Sequence, residues 1–450
     1  MSLEKLLAPF KPPTTSFVHR LRYWLDEHPE QLAFSFLIDG DVNATSYTYL
    51  ELDRRARIIA QRLQAMGMEG ERALLLYPPG LDFVAGFFGC LYAGVVAVPA
   101  YPPRRNRNMA RIQAIADDAS ARLALTVSDV LRRTESLLDE GSTMHGLTWL
   151  ATDELDDGAA DDWKLPDVDE NTLAFLQYTS GSTGSPKGVM LTHGNILHNC
   201  SLITRTFEAG RDTVGMSWLP TYHDMGLVGG VLNPLFCGQP SILMSPMLFL
   251  QRPVRWLRAV SNFSVTISGG PNFAYDLCTK KITEDQLTDI DLSSWSLAFN
   301  GAEPVRRETL EKFYRRFAPY GFRKEAFYPC YGMAETTLLV TGGARRKPPV
   351  VRCFDRSSLD EGRVNVAAPD GDRGRHVIGC GRKLPDEEIL IVDPDNRTEM
   401  PEDRVGEIWI SSRSVGQGYW NKPEVTIETF KAKLADDESG PDYLRSGDLG

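Results

Sequence analysis

The sequence predicts an α/β protein, with layered αβαβα subdomains on mostly parallel sheets and a smaller β-rich, barrel-like subdomain after them. Three observations carry this. The 450 residues exceed what one hydrophobic core serves, because cores stop growing at roughly 250–300 residues, so two or three subdomains follow. Apolar runs at helical spacing alternate with short strand-like runs through about residue 327, the pattern of helices layered on a sheet. From about residue 350, short strands at 388–392 and 406–410 alternate with turn-rich stretches such as Pro394-Asp395-Asn396.

Leu50, Leu52, Ala56, Ile59, Ala60 and Leu63 fall at helical spacing within 47–66, and Gly67 stops the helix. The apolar run 73–77 ends at Pro78-Pro79-Gly80 and suits a buried strand and turn. Residues 83–101 carry no charge and approach the length that spans a bilayer. Gly86, Gly89 and Gly94 interrupt them. A buried helix stopped by Gly94, then a parallel strand at 95–98 closed by Pro99, is the better reading, and no transmembrane segment is expected. A helix at 109–120 and a strand at 123–127 come next. Residues 153–170 are rich in Asp and Glu, with Gly158 and Pro166 among them, and read as a solvated linker. The strand at 173–178 then runs into a Ser/Thr/Gly loop. There are no internal repeats.

At 42% hydrophobic and 24% charged residues, the composition is that of an ordinary folded soluble protein. The net charge of −11 argues against nucleic acid as a partner, because phosphate backbones bind basic surfaces. The 7 cysteines (Cys90, Cys200, Cys237, Cys278, Cys330, Cys353 and Cys380) are scattered, with no Cys-x-x-Cys pair. That argues against a disulfide framework or a zinc site and for a reducing, cytoplasmic location. Residues 1–15 hold Glu4, Lys5, Pro9, Pro12 and Pro13 without a long apolar core, unlike a signal peptide.

The loop reads Tyr178-Thr179-Ser180-Gly181-Ser182-Thr183-Gly184-Ser185-Pro186-Lys187-Gly188. Glycines let backbone N–H groups approach an anion closely, and hydroxyls add donors. Lys187 supplies a point charge for phosphate oxygens. Hydrogen bonds to a charged partner contribute about 1.5–3 kcal/mol each, so several together hold a triphosphate. A Walker A loop needs Gly-Lys directly before Ser/Thr, whereas Ser185-Pro186 precede Lys187 and Gly188 follows it. The plain alternative is a flexible Ser/Gly turn. The preceding strand, the Ser/Thr content and the lysine after Ser-Pro argue against it.

This loop resembles the phosphate-binding motif of the adenylate-forming superfamily: acyl-CoA synthetases, peptide-synthetase adenylation domains and luciferases. The resemblance implies ATP as cosubstrate. A carboxylate attacks its α-phosphate to give an acyl-adenylate and pyrophosphate, and in most members a thiol then takes the acyl group. It assigns Thr179, Ser180, Gly181, Ser182, Thr183, Gly184 and Lys187 to the phosphates, with Lys187 also catalytic.

Further motifs of the superfamily follow in order. Asn300-Gly301-Ala302-Glu303-Pro304 is similar to the adenine-contacting segment, which implies nucleotide contacts for Gly301, Ala302 and Glu303. Tyr331-Gly332-Met333-Ala334-Glu335-Thr336 resembles the motif whose aromatic residue stacks on adenine and whose Glu binds Mg²⁺. A hard cation bridging phosphates favours carboxylate oxygen. Tyr331, Gly332 and Met333 are thereby assigned to the nucleotide, Glu335 to the metal and Thr336 to the α-phosphate. The plain alternative for Glu335 is an acid at a helix start. The blocks Gly406-Glu407-Ile408-Trp409 and Gly416-Gln417-Gly418-Tyr419-Trp420 read as structural strands and turns. Arg445-Ser446-Gly447-Asp448-Leu449-Gly450 resembles the motif before the inter-domain hinge, and Asp448 is assigned to the ribose hydroxyls. In the superfamily a small C-terminal domain follows, carrying a lysine that assists adenylation. No residue here matches it. The expected organisation is therefore a large adenylation domain at 1–445, with α/β subdomains at about 1–180 and 181–340, a β-rich subdomain at about 341–445, the start of the hinge at 446–450, and the C-terminal domain absent.

Trp218-Leu219-Pro220-Thr221-Tyr222-His223-Asp224-Met225-Gly226-Leu227 is similar to a segment of fatty acyl-AMP ligases, which load long acyl chains onto carrier proteins. The likeness implies that His223, Asp224, Met225 and Gly226 bind the substrate. His223 lies near carboxylate and α-phosphate, offsetting charge as the cation or donating a hydrogen bond as neutral imidazole. The interval from Glu335 to Gly406 is long, with extra material near 350–375 including Phe354-Asp355-Arg356 and Leu359. It resembles the insertion thought to restrict domain motion in those ligases; a neutral surface loop is the alternative. An acyl chain needs an apolar tunnel, since burial gives about 0.8 kcal/mol per CH₂. Met225, Leu227, Val231, Leu232 and Phe273 are candidate wall residues. The expected function is a fatty acyl-AMP ligase that uses ATP and Mg²⁺ and passes the acyl group to an acyl carrier protein or polyketide synthase. A fatty acyl-CoA ligase is the first alternative. The second is a non-catalytic acyl-AMP or ATP-binding module, given the unmatched lysine.

Overall fold

The computed structural model describes residues 15–103, 109–135, 143–179, 186–368 and 374–450. Two large sheets organise them. The first runs in space Thr148–Ala151, Leu123–Thr126, Arg72–Leu75, Val96–Pro99, Leu173–Thr179 and Lys187–Thr192, parallel except for the last pair. The second is nine-stranded. Its parallel centre is Phe327–Gly332, Leu297–Asn300, Ile267–Gly269, Gly215–Ser217, Ser241–Met244 and Leu32–Leu37, with antiparallel strands outside.

Strand alternation fixes the layers, because successive side chains face opposite sides of a sheet. On the first sheet Ala73 and Leu75 join a core shared with the second sheet, while Leu74 and Leu76 pack outward with Ile112 and Ile115. The outer face of the second sheet packs Met216, Ile242 and Ala298 under Trp256, Tyr275 and Phe313. Between the sheets lie helices Leu81–Tyr92 and His193–Thr206, buried almost all round, as expected of an interior helix. The first accounts for the uncharged run. Gly86 and Gly89 permit it, since a Cβ there would stand 2.5 Å from Tyr77 and from Ile59. No described helix is long and apolar enough to cross a membrane.

Three sequence expectations shift. The helix expected from residue 47 is Tyr49–Ala65, because Tyr47 pairs with Phe34 in a hairpin and Thr48 and Glu51 form a capping box. The hairpin Leu32–Thr48 completes the second sheet, whereas Lys187–Thr192 closes the first, so the two α/β units interleave in sequence. The acidic stretch 153–170 keeps most of its acids exposed, as a solvated linker does, but it is also tied down as a strap. Arg55 pairs with Asp157 at 3.3 Å and Trp163 stacks on Tyr92 at 5.0 Å, while Ala160 and Val168 are buried. Arginines on the neighbouring helix meet two of the acids, Asp157 and Asp161, and the aromatic pair anchors the backbone.

The β-rich region is two small antiparallel sheets, Val351–Asp355 with Gly374–Ile378, and Glu388–Val392, Glu407–Ser411 and Leu444–Leu449. Three strands do not close on themselves as a barrel does. The extra segment near 350–375 forms the first of these sheets, with a short helix Arg356–Asp360 capped by Asp355.

Candidate active site

Parallel sheets bind ligands beyond the carboxyl ends of their strands. A cavity of about 420 Å³ opens there, between the two sheets. Pro99, Gln177 and Thr179 reach it from the first sheet, and Ser217, Phe299 and Tyr331 from the second.

Ten of the residues singled out in the sequence line this cavity. His223, Asp224 and Met225 line it, as do Gly301 and Ala302. Tyr331, Gly332, Met333 and Glu335 form the opposite wall, and Thr179 stands at the edge. Ser180, Gly181, Ser182, Thr183 and Gly184 lie outside the described residues. Lys187 begins the strand after them, paired with Thr179, and its Nζ sits 4.9 Å from the centre of the Tyr419 ring. Asp448 accepts the Tyr331 hydroxyl at 2.8 Å.

Three residues are turned from the roles expected of them. Gly226 does not line the cavity; a Cβ there would stand 2.0 Å from the Pro220 carbonyl oxygen, so it serves a close backbone approach. The Glu303 carboxylate accepts the Phe273 N–H at 3.3 Å outside the lining. Thr336 is fully buried and donates its hydroxyl to the Met333 carbonyl at 3.0 Å.

The backbone at Glu335 is held by a strained turn. Thr337 has φ 70° and ψ −58°, and the Leu338 N–H donates to the Thr336 carbonyl at 2.8 Å. This is the rare γ-turn, and such strain persists only where surroundings over-determine it. Asn199, from the central helix, donates to the Leu339 carbonyl at 2.8 Å and accepts the Leu339 N–H at 3.1 Å. Thr337 donates to the Ser414 carbonyl at 2.7 Å, and the Gly416 N–H to the Glu335 carbonyl at 2.8 Å.

Tyr419 ties two predicted groups together. Its hydroxyl donates to Glu335 Oε1 at 2.8 Å and its ring lies against Lys187. In the sequence its block reads as structural; only the fold reveals this contact. Burial raises the Glu335 pKa above the usual carboxylate value, with Asp224 adding to the rise and the Tyr419 hydrogen bond and Lys187 opposing it. Among the described residues no group of three or more His, Cys, Asp or Glu could hold a metal.

His223 stands at the N-cap position of the helix Asp224–Leu227. Its Nδ1 lies 2.5 Å from Asp224 Oδ1, with the side chain 54% exposed. The Met225 N–H approaches Nδ1 at 3.4 Å but Asp224 Oδ1 at 2.6 Å. The shorter contacts decide: Nδ1 carries the proton toward Asp224. Burial lowers the His223 pKa, while the hydrogen bond and charge of Asp224 raise it, and the net direction is upward from 6.5. The imidazolium is therefore favoured in the fold. Its contribution to stability is fully present below the unfolded pKa and is lost as pH rises through the raised folded value. In an Asp224→Asn variant the His223 midpoint is expected to fall, read by NMR titration of the ring protons. An unmoved midpoint would rule out Asp224 as the cause.

Of the proposed tunnel wall, only Met225 lines the cavity. Leu227, Val231 and Leu232 are buried in the inter-sheet core, and Phe273 is 47% exposed. The reason is a π-helical turn, Val228–Leu232, that continues the helix begun at Asp224. It presents Gly229 and Gly230 to the cavity and sends its apolar side chains into the core. Hydrophobic periodicity does not signal a wall of glycine backbone. Gln177 and Gln239 were also missed; both are buried side chains lining the cavity, and each has an unpaired Oε1.

The model of the AMP-binding enzyme family matches residues 21–420. The medium-chain-fatty-acid–[acyl-carrier-protein] ligase JamA of Moorena producens is 44% identical over 446 residues, covering 98% of this chain and 75% of its own. A 4-hydroxyphenylalkanoate adenylyltransferase of Mycobacterium marinum is 36% identical over 457 residues, covering 99% of this chain and 73% of its own. A solved fatty acyl-adenylate ligase from L. pneumophila, in complex with acyl adenylate and pyrophosphate, matches with TM-score 0.91 at 42% identity over 97% of this chain and 75% of that one.

Proposed function

The chain belongs to the AMP-binding enzyme family, the adenylate-forming ligases, and from that premise we propose that it activates a fatty acid with ATP and Mg²⁺ as an acyl-adenylate for transfer to an acyl carrier protein. The observation that carries this is a cavity lined at its polar mouth by His223 and Glu335 and deeper in by Ile203, Phe207 and Met216. A carboxylate at the mouth and an alkyl chain in the chamber satisfy both parts.

In the proposed reaction a carboxylate oxygen of the fatty acid forms a bond to the α-phosphorus of ATP, and the bond from that phosphorus to its bridging oxygen breaks, releasing pyrophosphate. His223, whose pKa the hydrogen bond and charge of Asp224 raise, offsets as the cation the charge that gathers between carboxylate and phosphate. Lys187 and Thr179 serve the phosphates with the loop between them. Tyr331 offers its ring to adenine beside the Gly301-Ala302 backbone, and Asp448 serves the ribose hydroxyls. Glu335 would hold Mg²⁺, which when bound neutralises phosphate charge. Residues 1–445 read as the large adenylation domain and 446–450 as the start of a hinge. The carrier-protein acceptor rests on the named relatives and on the sheet formed near 350–375.

Incubation with ATP, Mg²⁺ and a medium-chain fatty acid is expected to yield acyl-AMP and pyrophosphate, and then acyl transfer to a phosphopantetheine-bearing carrier. Absence of acyl-AMP with every fatty acid would sink the ligase reading. Efficient acyl-CoA formation would sink only the choice of acceptor.

Tyr419→Phe separates positioning from catalysis. The ring against Lys187 remains, but the hydrogen bond to Glu335 is lost. Bonds to charged partners contribute about 1.5–3 kcal/mol, so the rate should fall about tenfold or more. That bond lowers the Glu335 pKa, so its loss raises the pKa further. The acid limb of the pH–rate profile should then move to higher pH, and a limb that stays in place counts against the contact.

A further inference from the structure

Gln239 is 3% exposed and lines the cavity, yet its Oε1 has no hydrogen-bond partner. Its backbone is fixed. Gly238 ends the helix Asn233–Cys237 in the left-handed conformation (φ 75°), and the Gln239 N–H donates to the Pro234 carbonyl at 3.0 Å. The side chain lies at the inner end of the cavity. Gly215 pairs with Ser241 and with Ile267 at the amino ends of these strands, whereas the mouth lies beyond Ser217. A Cβ on Gly215 would stand 3.2 Å from Gln239 Nε2, so glycine at that position leaves the amide accessible. Ile203, Phe207 and Pro234 line the same cavity.

Buried polar side chains in native proteins are almost always hydrogen-bonded, and a chamber meant only for alkyl chain would be better ended by an apolar residue. We propose that Gln239 is a specificity residue: it forms a polar end wall that selects carboxylic acids bearing a hydroxyl at the far end of the chain. A hydroxyl oxygen accepts from an N–H, so one such group answers Nε2, the amide atom that Gly215 leaves room beside, which a methyl terminus cannot. The inference rests on the acyl-activating reading of the cavity and names the substrate class within it.

The test uses non-hydrolysable acyl-sulfamoyl adenosines in pairs of equal length, one ending in methyl and one in hydroxyl, across a medium-chain series. Dissociation constants are measured by calorimetry. At the length that reaches Gln239, the hydroxyl-ended compound should bind at least about tenfold more tightly. Gln239→Leu should erase that preference and tighten the methyl-ended partner. Equal or tighter binding of the methyl-ended compound at every length in the unaltered protein overturns the proposal, and that includes the case of an ordered water satisfying the amide. The comparison in the unaltered protein decides even if the variant misfolds. Failure of every compound to bind would instead remove the acyl-activating reading and this inference with it.

Discussion

Glu335→Gln is expected to lower acyl-adenylate formation by about 10²–10³-fold, the loss typical of removing one electrostatic contact to a transition state. The substitution keeps the shape and an oxygen acceptor for the Tyr419 hydroxyl, now 2.8 Å away, while removing the charge that a bridging cation needs. Among the described residues no cluster of acids stands ready to replace it. Folding should not suffer. Burial raises the Glu335 pKa, so the ionised form is disfavoured in the fold, and stability falls as pH rises from the unfolded pKa through the folded one. At neutral pH the neutral amide should therefore match or exceed the native Tm. The signature is a rate that falls and a Mg²⁺ requirement that rises while Tm holds. A parallel loss of Tm and rate would assign Glu335 a structural role instead.

The site was legible in the sequence where its parts are contiguous. His223-Asp224-Met225 and Tyr331 to Glu335 each form a short run whose backbone bends round the cavity, so a local pattern carries them to one place. Residues that act across the fold left no such trace. Tyr419 reaches Glu335 only because the chain after Ser411 crosses back to the γ-turn, where Gly416 bonds the Glu335 carbonyl. Gln239 and Gln177 look like ordinary polar residues until burial is known. The fold behaved similarly. Runs with a single period, such as that of Tyr49–Ala65, were clear, and the uncharged stretch resolved into helix and strand. The charge run told of the solvation of the acidic strap but not of its attachment; the arginines opposite it belong to a helix far away in sequence. Placement of the Leu32–Thr48 hairpin on the second sheet depends on long-range pairing with Ser241–Met244, which no local window contains.

Gly229→Leu is expected to shorten the acyl chains the enzyme uses. Gly229 lines the cavity in the π-helical turn, and a Cβ there would meet Leu338 Cδ2 at 3.5 Å, an ordinary contact. Its neighbour Gly230 is the wrong choice, because a Cβ would come within 2.9 Å of Ser217 and force the strand to move. A leucine side chain at 229 takes the space of about four methylenes of substrate. At about 0.8 kcal/mol per buried CH₂, excluding them costs about 3 kcal/mol, roughly a 10²-fold loss of kcat/KM for an acid long enough to fill the chamber. The loss should shrink steadily as the acid shortens, moving the optimum to shorter chains. Replacing glycine inside a helix also removes a backbone cost of about 1 kcal/mol, so Tm should hold or rise. Measuring kcat/KM across a chain-length series checks this: a loss of equal size at every length would mean that the substitution disturbs the mouth through His223 and Asp224, and that the chamber runs elsewhere than past Gly229.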